Sequence, residues 1–200
     1  LTRSKDKTIS VQPTPLIGMV GVLKDQHSLM TVSFQAKGDM IFLVGRSDND
    51  LSASEYLAQT HSIVDTAAPE IDMAYELQVQ KVLGELIRKR LIASAHSVSM
   101  GGLFVTLVES CLSHGLGFDI TSPAEVRTDA FLFGESQSRV VVSVAPKKET
   151  EFLDLMMEQG VPFSALGHVT KEELRIDDSS FGFIADYARK FENALAELLT

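Results

Sequence analysis

The stretch Arg139-Val-Val-Val-Ser-Val-Ala145 decides the fold. An extended chain points successive side chains to opposite faces, so Val140, Val142 and Val144 face one way and Val141 the other. A strand apolar on both faces needs cover on both, which places it inside a sheet layered with helices. The flanking sequence supplies these partners. Met40-Ile-Phe-Leu-Val44 is a second continuous apolar run, and Gln26–Gln35 ends in alternating Met30, Val32 and Phe34. With Ala36-Lys-Gly-Asp39 as a turn, these two runs predict a hairpin. Further strands are expected at Ile92–Ala95, Phe118–Thr121, Ala130–Phe133, Phe163–Thr170 and Glu173–Ile176.

Helices are expected near 70–91, 102–114, 147–159 and 183–199, with a short helical turn at Ser54–Gln59. Pro69 would open the first of these, while Arg88, Lys89 and Arg90 suit its negative end. In the last, Ile184, Tyr187, Ala188, Phe191, Leu195 and Leu198 share one face, expected to pack on the sheet. Strands and helices interleave throughout, with no repeat and no low-complexity segment. The expected fold is α/β (α+β), a layered mixed β-sheet packed with helices.

The 200 residues are 44% hydrophobic and 22% charged, which excludes a disordered chain. Eighteen Lys and Arg against 27 Asp and Glu leave a net charge of −9, the wrong sign for a nucleic-acid backbone binder. No apolar run is long enough for a membrane-spanning helix. Leu1-Thr-Arg-Ser-Lys-Asp-Lys7 is polar, lacks an initiating Met and leads into no signal-type apolar segment. The chain therefore reads as a piece of a longer, cytoplasmic polypeptide. Residues 1–15, with Pro13 and Pro15, read as a linker leading into one domain over 16–200. The single cysteine, Cys111, falls on a helix and is expected to be buried and unreactive.

Two polar turns could carry chemistry. Ala95-His-Ser-Val-Ser-Met-Gly-Gly-Leu103 is a strand, a small-residue turn and a helix start. Free backbone N–H groups there, with Gly101 and Gly102 permitting close approach and Ser97 and Ser99 adding hydroxyls, could hold a phosphate. The structural alternative has Ser99 capping the helix and the glycines packing against the sheet. The spacing fits neither a P-loop nor a dinucleotide fingerprint. His96 is a weak catalytic candidate, as an acid/base group or metal ligand. The five histidines include no i,i+4 pair, so a zincin-like site is excluded. The second turn, Phe133-Gly-Glu-Ser-Gln-Ser-Arg139, offers a carboxylate, hydroxyls, an amide and a guanidinium, through Glu135, Ser136, Gln137 and Arg139. Its plainer reading is a hairpin turn with Glu135 paired to Arg139. Asp48, Asp50, Asp65, Asp177 and Asp178 read as solvated turn residues.

Taken in order, these motifs resemble a family. Pro13-Thr-Pro-Leu-Ile-Gly-Met-Val-Gly-Val-Leu-Lys-Asp25, Ser54-Glu-Tyr-Leu57, Ala95–Leu103 and Leu132–Val142 resemble the final C-terminal-type domain of phosphoribosylformylglycinamidine synthases, in the AIR-synthase-related superfamily. The resemblance implies a layered mixed-sheet fold. It also implies membership of an enzyme that uses ATP and Mg²⁺ to convert formylglycinamide ribonucleotide to its amidine in purine biosynthesis. The implied partners are the other domains of the same polypeptide and a glutaminase that supplies ammonia, with a dimer also open. Where the family's loop reads A-H-D-V-S-D-G-G-L, this chain has Ser97 and Met100, which cannot replace carboxylates at a metal. The implied site is then a degenerate one, built from Ser97, Ser99, Gly101, Gly102, Glu135, Ser136, Gln137 and Arg139. It would hold no metal, with no cofactor on this domain alone. The alternatives are a non-catalytic interaction or dimerisation module, and a domain of a thiamin-phosphate or selenophosphate type of enzyme.

Overall fold

The computed structural model describes residues 2–4, 7–9, 15–23, 25 and 29–199. Strands β1 (Thr2–Ser4) and β2 (Lys7–Ile9) form a small antiparallel pair. Residues 10–14 of the expected linker lie outside the described residues, as do Gln26 to Ser28 of the expected first strand. The body then runs β3 (Met40–Val44), α1 (Glu55–His61), α2 (Met73–Arg88), β4 (Ser94–Ser97), α3 (Gly102–Leu112), β5 (Gly117–Ile120), α4 (Thr128–Phe133), β6 (Val140–Val144), α5 (Glu149–Gln159), β7 (Phe163–Thr170), β8 (Glu173–Ile176), β9 (Ser179–Phe183) and α6 (Ile184–Leu198).

Seven strands form one mixed sheet in the order β4-β6-β3-β7-β5-β8-β9. Every pairing is antiparallel except β5 with β8. The alternation in β3 and β6 divides the core as the valine pattern requires. Ile41, Leu43 and Val141 join Leu103, Leu107, Phe118, Phe131 and Ile184 on one face, under α3, α4 and the start of α6. Phe42, Val44, Val142 and Val144 join Val79, Val82, Leu86, Phe152 and Met156 on the other, under α2 and α5. Ser143, fully buried in β6, bonds the Ser94 hydroxyl at 2.6 Å, so no polar atom of this pair is stranded.

Several expectations are corrected. No strand forms over residues 29–39, and β3 makes no hairpin with that segment, because β6 and β7 occupy both its edges. Instead the segment closes over the sheet border. Thr31 O accepts from Ala95 N–H of edge strand β4, and Phe34 is buried with its N–H on Ser110 O at 2.8 Å. Ala130–Phe133 is helix rather than strand, with Phe131 N–H on Arg127 O and Gly134 N–H on Ala130 O. A four-residue apolar run carries no period that separates the two. The strand expected at Ile92–Ala95 lies two residues later, at Ser94–Ser97. α2 starts at Met73 rather than near Pro69, since the Asp72 carboxylate accepts from Ala74 and Tyr75 N–H and caps it there. The expected packing of α6 holds only at its start. Ile184 is buried, whereas Phe191, Leu195 and Leu198 are exposed.

Candidate functional site

The two polar turns lie together. β4 and β6 are adjacent antiparallel strands with Ser97 opposite Val140, so the chain leaving β4 and the chain entering β6 emerge at the same sheet end. Val98 N–H donates to Arg139 O at 2.8 Å and ties the two turns directly. α3 then begins with Gly101 at φ 84° and Gly102 at φ 74°, a left-handed pair that L side chains rarely adopt. A Cβ on Gly102 would lie 2.7 Å from Leu132 O and from the Phe133 backbone. Hence α3 packs against the end of α4 only with glycine there. Ser99 does not cap the helix through its side chain. Gly101 occupies the cap position, and the Ser99 carbonyl accepts from Gly102 N–H.

Glu135 supplies the missing acceptor. One carboxylate oxygen accepts from Gly101 N–H at 2.9 Å and from Glu55 N–H at 2.8 Å. It therefore bridges the helix starts of α3 and α1, placing negative charge at two positive helix ends. The Ser54-Glu-Tyr-Leu57 motif has a matching logic. Ser54, buried, caps α1 by accepting from Leu57 N–H, Glu55 donates its N–H to Glu135, and Tyr56 stacks on Phe133 at 4.8 Å.

Glu135 and Arg139 do not pair, contrary to the hairpin reading. Arg139 turns inward, 2% exposed, and donates to the carbonyls of Phe131 and Gly134 and to Ser47 Oγ. Burial drives its pKa down to about 10, opposed by the Asp48 charge. Its Nε has no partner among the described residues. Ser136 is buried, Gln137 is exposed, and Ser138 donates to Glu76 of α2.

Beyond Glu135, residues 136–138 line a cleft of about 270 Å³ shared with Arg46, Asp72 and Tyr75. Arg46 stacks over the Tyr75 ring at 4.5 Å. Burial raises the Tyr75 pKa, against the nearby Arg46 charge. Sequence reasoning did not single out Arg46 and Tyr75, and the signal was faint: an arginine directly after a buried strand, and a tyrosine in the first turn of α2.

His96 lies apart from this cleft. Its Nδ1 is 3.0 Å from the buried Ser110 hydroxyl and its Nε2 3.5 Å from Glu109. Ser110 already donates to Thr106 O, so its hydroxyl accepts from the imidazole. Burial lowers the His96 pKa, with Glu109 opposing. This is the environment of a structural histidine on β4 that packs against α3. Cys111 is fully buried, and burial pushes its thiol up to about 12. Among the described residues no three His, Cys, Asp or Glu side chains gather as a metal site, and no helix is long and apolar enough to cross a membrane.

With this geometry in hand, the family is clear. Residues 36–178 match the model of the AIR synthase related protein C-terminal domain, and the chain belongs to that family. It is 39% identical over 158 residues to the phosphoribosylformylglycinamidine synthase subunit PurL of Moorella thermoacetica, covering 79% of this chain and 22% of that protein. It is 35% identical over 199 residues to the same subunit of an Anaeromyxobacter species, covering 94% of this chain and 26% of that protein. The chain thus spans about a quarter of the length of these relatives. Among solved structures, Thermotoga maritima PurL complexed with FGAR superposes with a TM-score of 0.68 at 16% identity, over 82% of this chain and 30% of that one. The same protein complexed with ATP superposes with a TM-score of 0.61 at 15% identity, over 82% and 28%. These superpositions establish the mixed-sheet fold.

Proposed function

We propose that this chain is a C-terminal-type domain of a phosphoribosylformylglycinamidine synthase, and that its loop cluster is a filled pseudo-site that scaffolds the enzyme. In the reaction of the parent enzyme, ATP phosphorylates the amide oxygen of formylglycinamide ribonucleotide. Ammonia from a glutaminase partner then displaces phosphate to give the amidine. The identity to PurL subunits supports this reading over a thiamin-phosphate or selenophosphate type of enzyme.

One observation carries the scaffolding role. The backbone N–H of Gly101, where a phosphate would be drawn at the start of α3, is already held by the Glu135 carboxylate. An incoming polyphosphate would have to displace that carboxylate and then share its surroundings. The residues present do not fit Mg²⁺ either. Positions 97 and 100 are Ser and Met, and Glu135 is committed to two N–H groups. The cluster therefore joins α1, α3 and α4 into one rigid corner of the parent enzyme's domain assembly.

The test is calorimetric titration of the 200-residue chain with Mg-ATP, alongside an assay of phosphate release with substrate and ammonia. The expected outcome is no turnover and binding no tighter than about millimolar, because a helix start alone contributes about 1 kcal/mol against about 8 for micromolar binding. Micromolar binding or turnover above background overturns the scaffolding role.

A further inference from the structure

Among the described residues nothing covers the apolar run Leu16-Ile-Gly-Met-Val-Gly-Val-Leu23. Leu16 is 98% exposed, Met19 91% and Val22 94%, and a Cβ on Gly18 or Gly21 would meet nothing within 4 Å. The run forms no helix and pairs with no strand here. Isolated exposed apolar residues are ordinary, whereas six large ones in eight consecutive positions are a buried surface without its cover. In extended form Leu16, Val20 and Val22 face one way and Ile17, Met19 and Leu23 the other. That is the double-sided pattern of β6, which helices close on each side of the sheet.

We propose that residues 16–23 are a buried strand of the folded unit that precedes this domain in the longer polypeptide. The junction between the two units then lies at Asp25 rather than before residue 16. Three observations favour this cover. First, the run cannot join the sheet of its own domain. Asp25, two residues past it, pairs with Arg90 at 3.7 Å, close before edge strand β4, and that edge is already bordered by Thr31 O on Ala95 N–H. The other edge, β9, lies six strand spacings from β4, about 29 Å away. Second, a second copy laid on an exposed strap covers one face and leaves the other wet, whereas a sheet interior closes both. Third, the domain match begins at residue 36, yet the Anaeromyxobacter match covers 94% of this chain and so includes residues 15–23 wherever its ends fall. The run therefore belongs to the relatives' polypeptide and lies upstream of the matched domain. The proposal rests on the reading above only in requiring that longer polypeptide.

Hydrogen exchange tests this in two samples, the 200-residue chain and the full-length polypeptide that contains it. The amides of residues 16–23 should exchange freely in the 200-residue chain, at low and at high concentration, and about a hundredfold more slowly or better in the full-length protein. Val20→Asp and Ile17→Asp place a charge on one face and then the other. Each should abolish the protection in the full-length protein, and each should leave the thermal midpoint of the 200-residue chain within about 1 °C of the unsubstituted value. None of these readouts depends on turnover or on Mg-ATP binding, so a failure here is distinct from a failure of the scaffolding role. Equal exchange in the two samples, protection that arises in the 200-residue chain by self-association, or sensitivity to one substitution but not the other overturns the proposal.

Discussion

The turn over residues 98–102 and helix α6 sit on the same face of the sheet, against the same α3, and resolve their surfaces in opposite ways. The turn exposes backbone donors, the feature that attracts a ligand, yet its Gly101 N–H is met from within by Glu135. α6 carries the apolar stripe that attracts a core, yet leaves Phe191, Leu195 and Leu198 outside it. A donor is satisfied by one well-placed acceptor, so a chain can fill its own polar site with a single side chain. An apolar stripe needs a second surface of comparable area, and this domain offers one only along the first two turns. A phosphate-like motif is therefore a weak guide to a ligand when a carboxylate lies within reach. An amphipathic helix is a weak guide to the core when its far end runs past the sheet.

The largest effect expected from breaking this contrast is at Gly102. Its φ of 74° strains any L residue, and a Cβ there meets backbone atoms of Leu132 and Phe133 at 2.7 Å. Backbone on both sides leaves no flexible side chain to yield. Gly102→Ala should cost about 3 kcal/mol or more, from left-handed strain plus displacement of α4 from α3. Thermal unfolding should show this as a fall of roughly 10 °C for a domain of this size. A shift under about 2 °C would show that the α3–α4 corner is looser than its geometry.

Glu135→Ala comes next. It removes the acceptor shared by Gly101 and Glu55 N–H while leaving the half-buried donors within reach of water. Charge-assisted bonds of this kind support a loss of about 2 kcal/mol, measured by chemical denaturation. Glu135→Gln keeps an acceptor oxygen and should lose less than half of that. Equal losses in the two variants would mean that the charge, rather than the hydrogen bonds, joins the helix starts.

The fold was largely legible in the sequence because its informative segments carry long or double-sided patterns. The valines of β6 and the run in β3 require cover on two faces, and they receive it from α3 and α4 on one side and α2 and α5 on the other. Short segments misled for a physical reason. Phe131 and Leu132 are buried from a helix as readily as from a strand. The alternation of Met30, Val32 and Phe34 reflects a one-sided cover over the sheet border, where Phe34 enters the core and Val32 does not. The two candidate turns were legible as turns, but the bond that defines them was not. Glu135 looked matched to Arg139, four residues on, whereas its donors lie 34 and 80 residues away in sequence. Arg139 was drawn inward by the carbonyls at the end of α4, which no local pattern records. The placement of His96 behind α3 follows from strand register, since β4 begins two residues later than its apolar run suggests.

That placement gives the smallest and most specific expectation, a pH dependence arising where β4 meets α3 rather than in the turn that joins them. Burial holds the His96 pKa below its ordinary 6.5, with Glu109 pulling the other way. The imidazole is therefore neutral in the folded chain while the unfolded chain can already take up its proton. Stability is highest above about pH 6.5 and declines as pH falls from there toward the lower folded-state value, after which this group contributes no further slope. Denaturation between about pH 7 and 5 should show that decline, before most carboxylates titrate. Glu109→Gln removes the charge that supports the imidazolium, so it should steepen the decline. His96→Gln should flatten it, while loss of the imidazole bond to Ser110 lowers the whole curve by a constant amount. Only the slope is diagnostic. A His96→Gln curve parallel to that of the wild-type chain would assign the acid sensitivity to other groups and leave His96 a spectator of the fold.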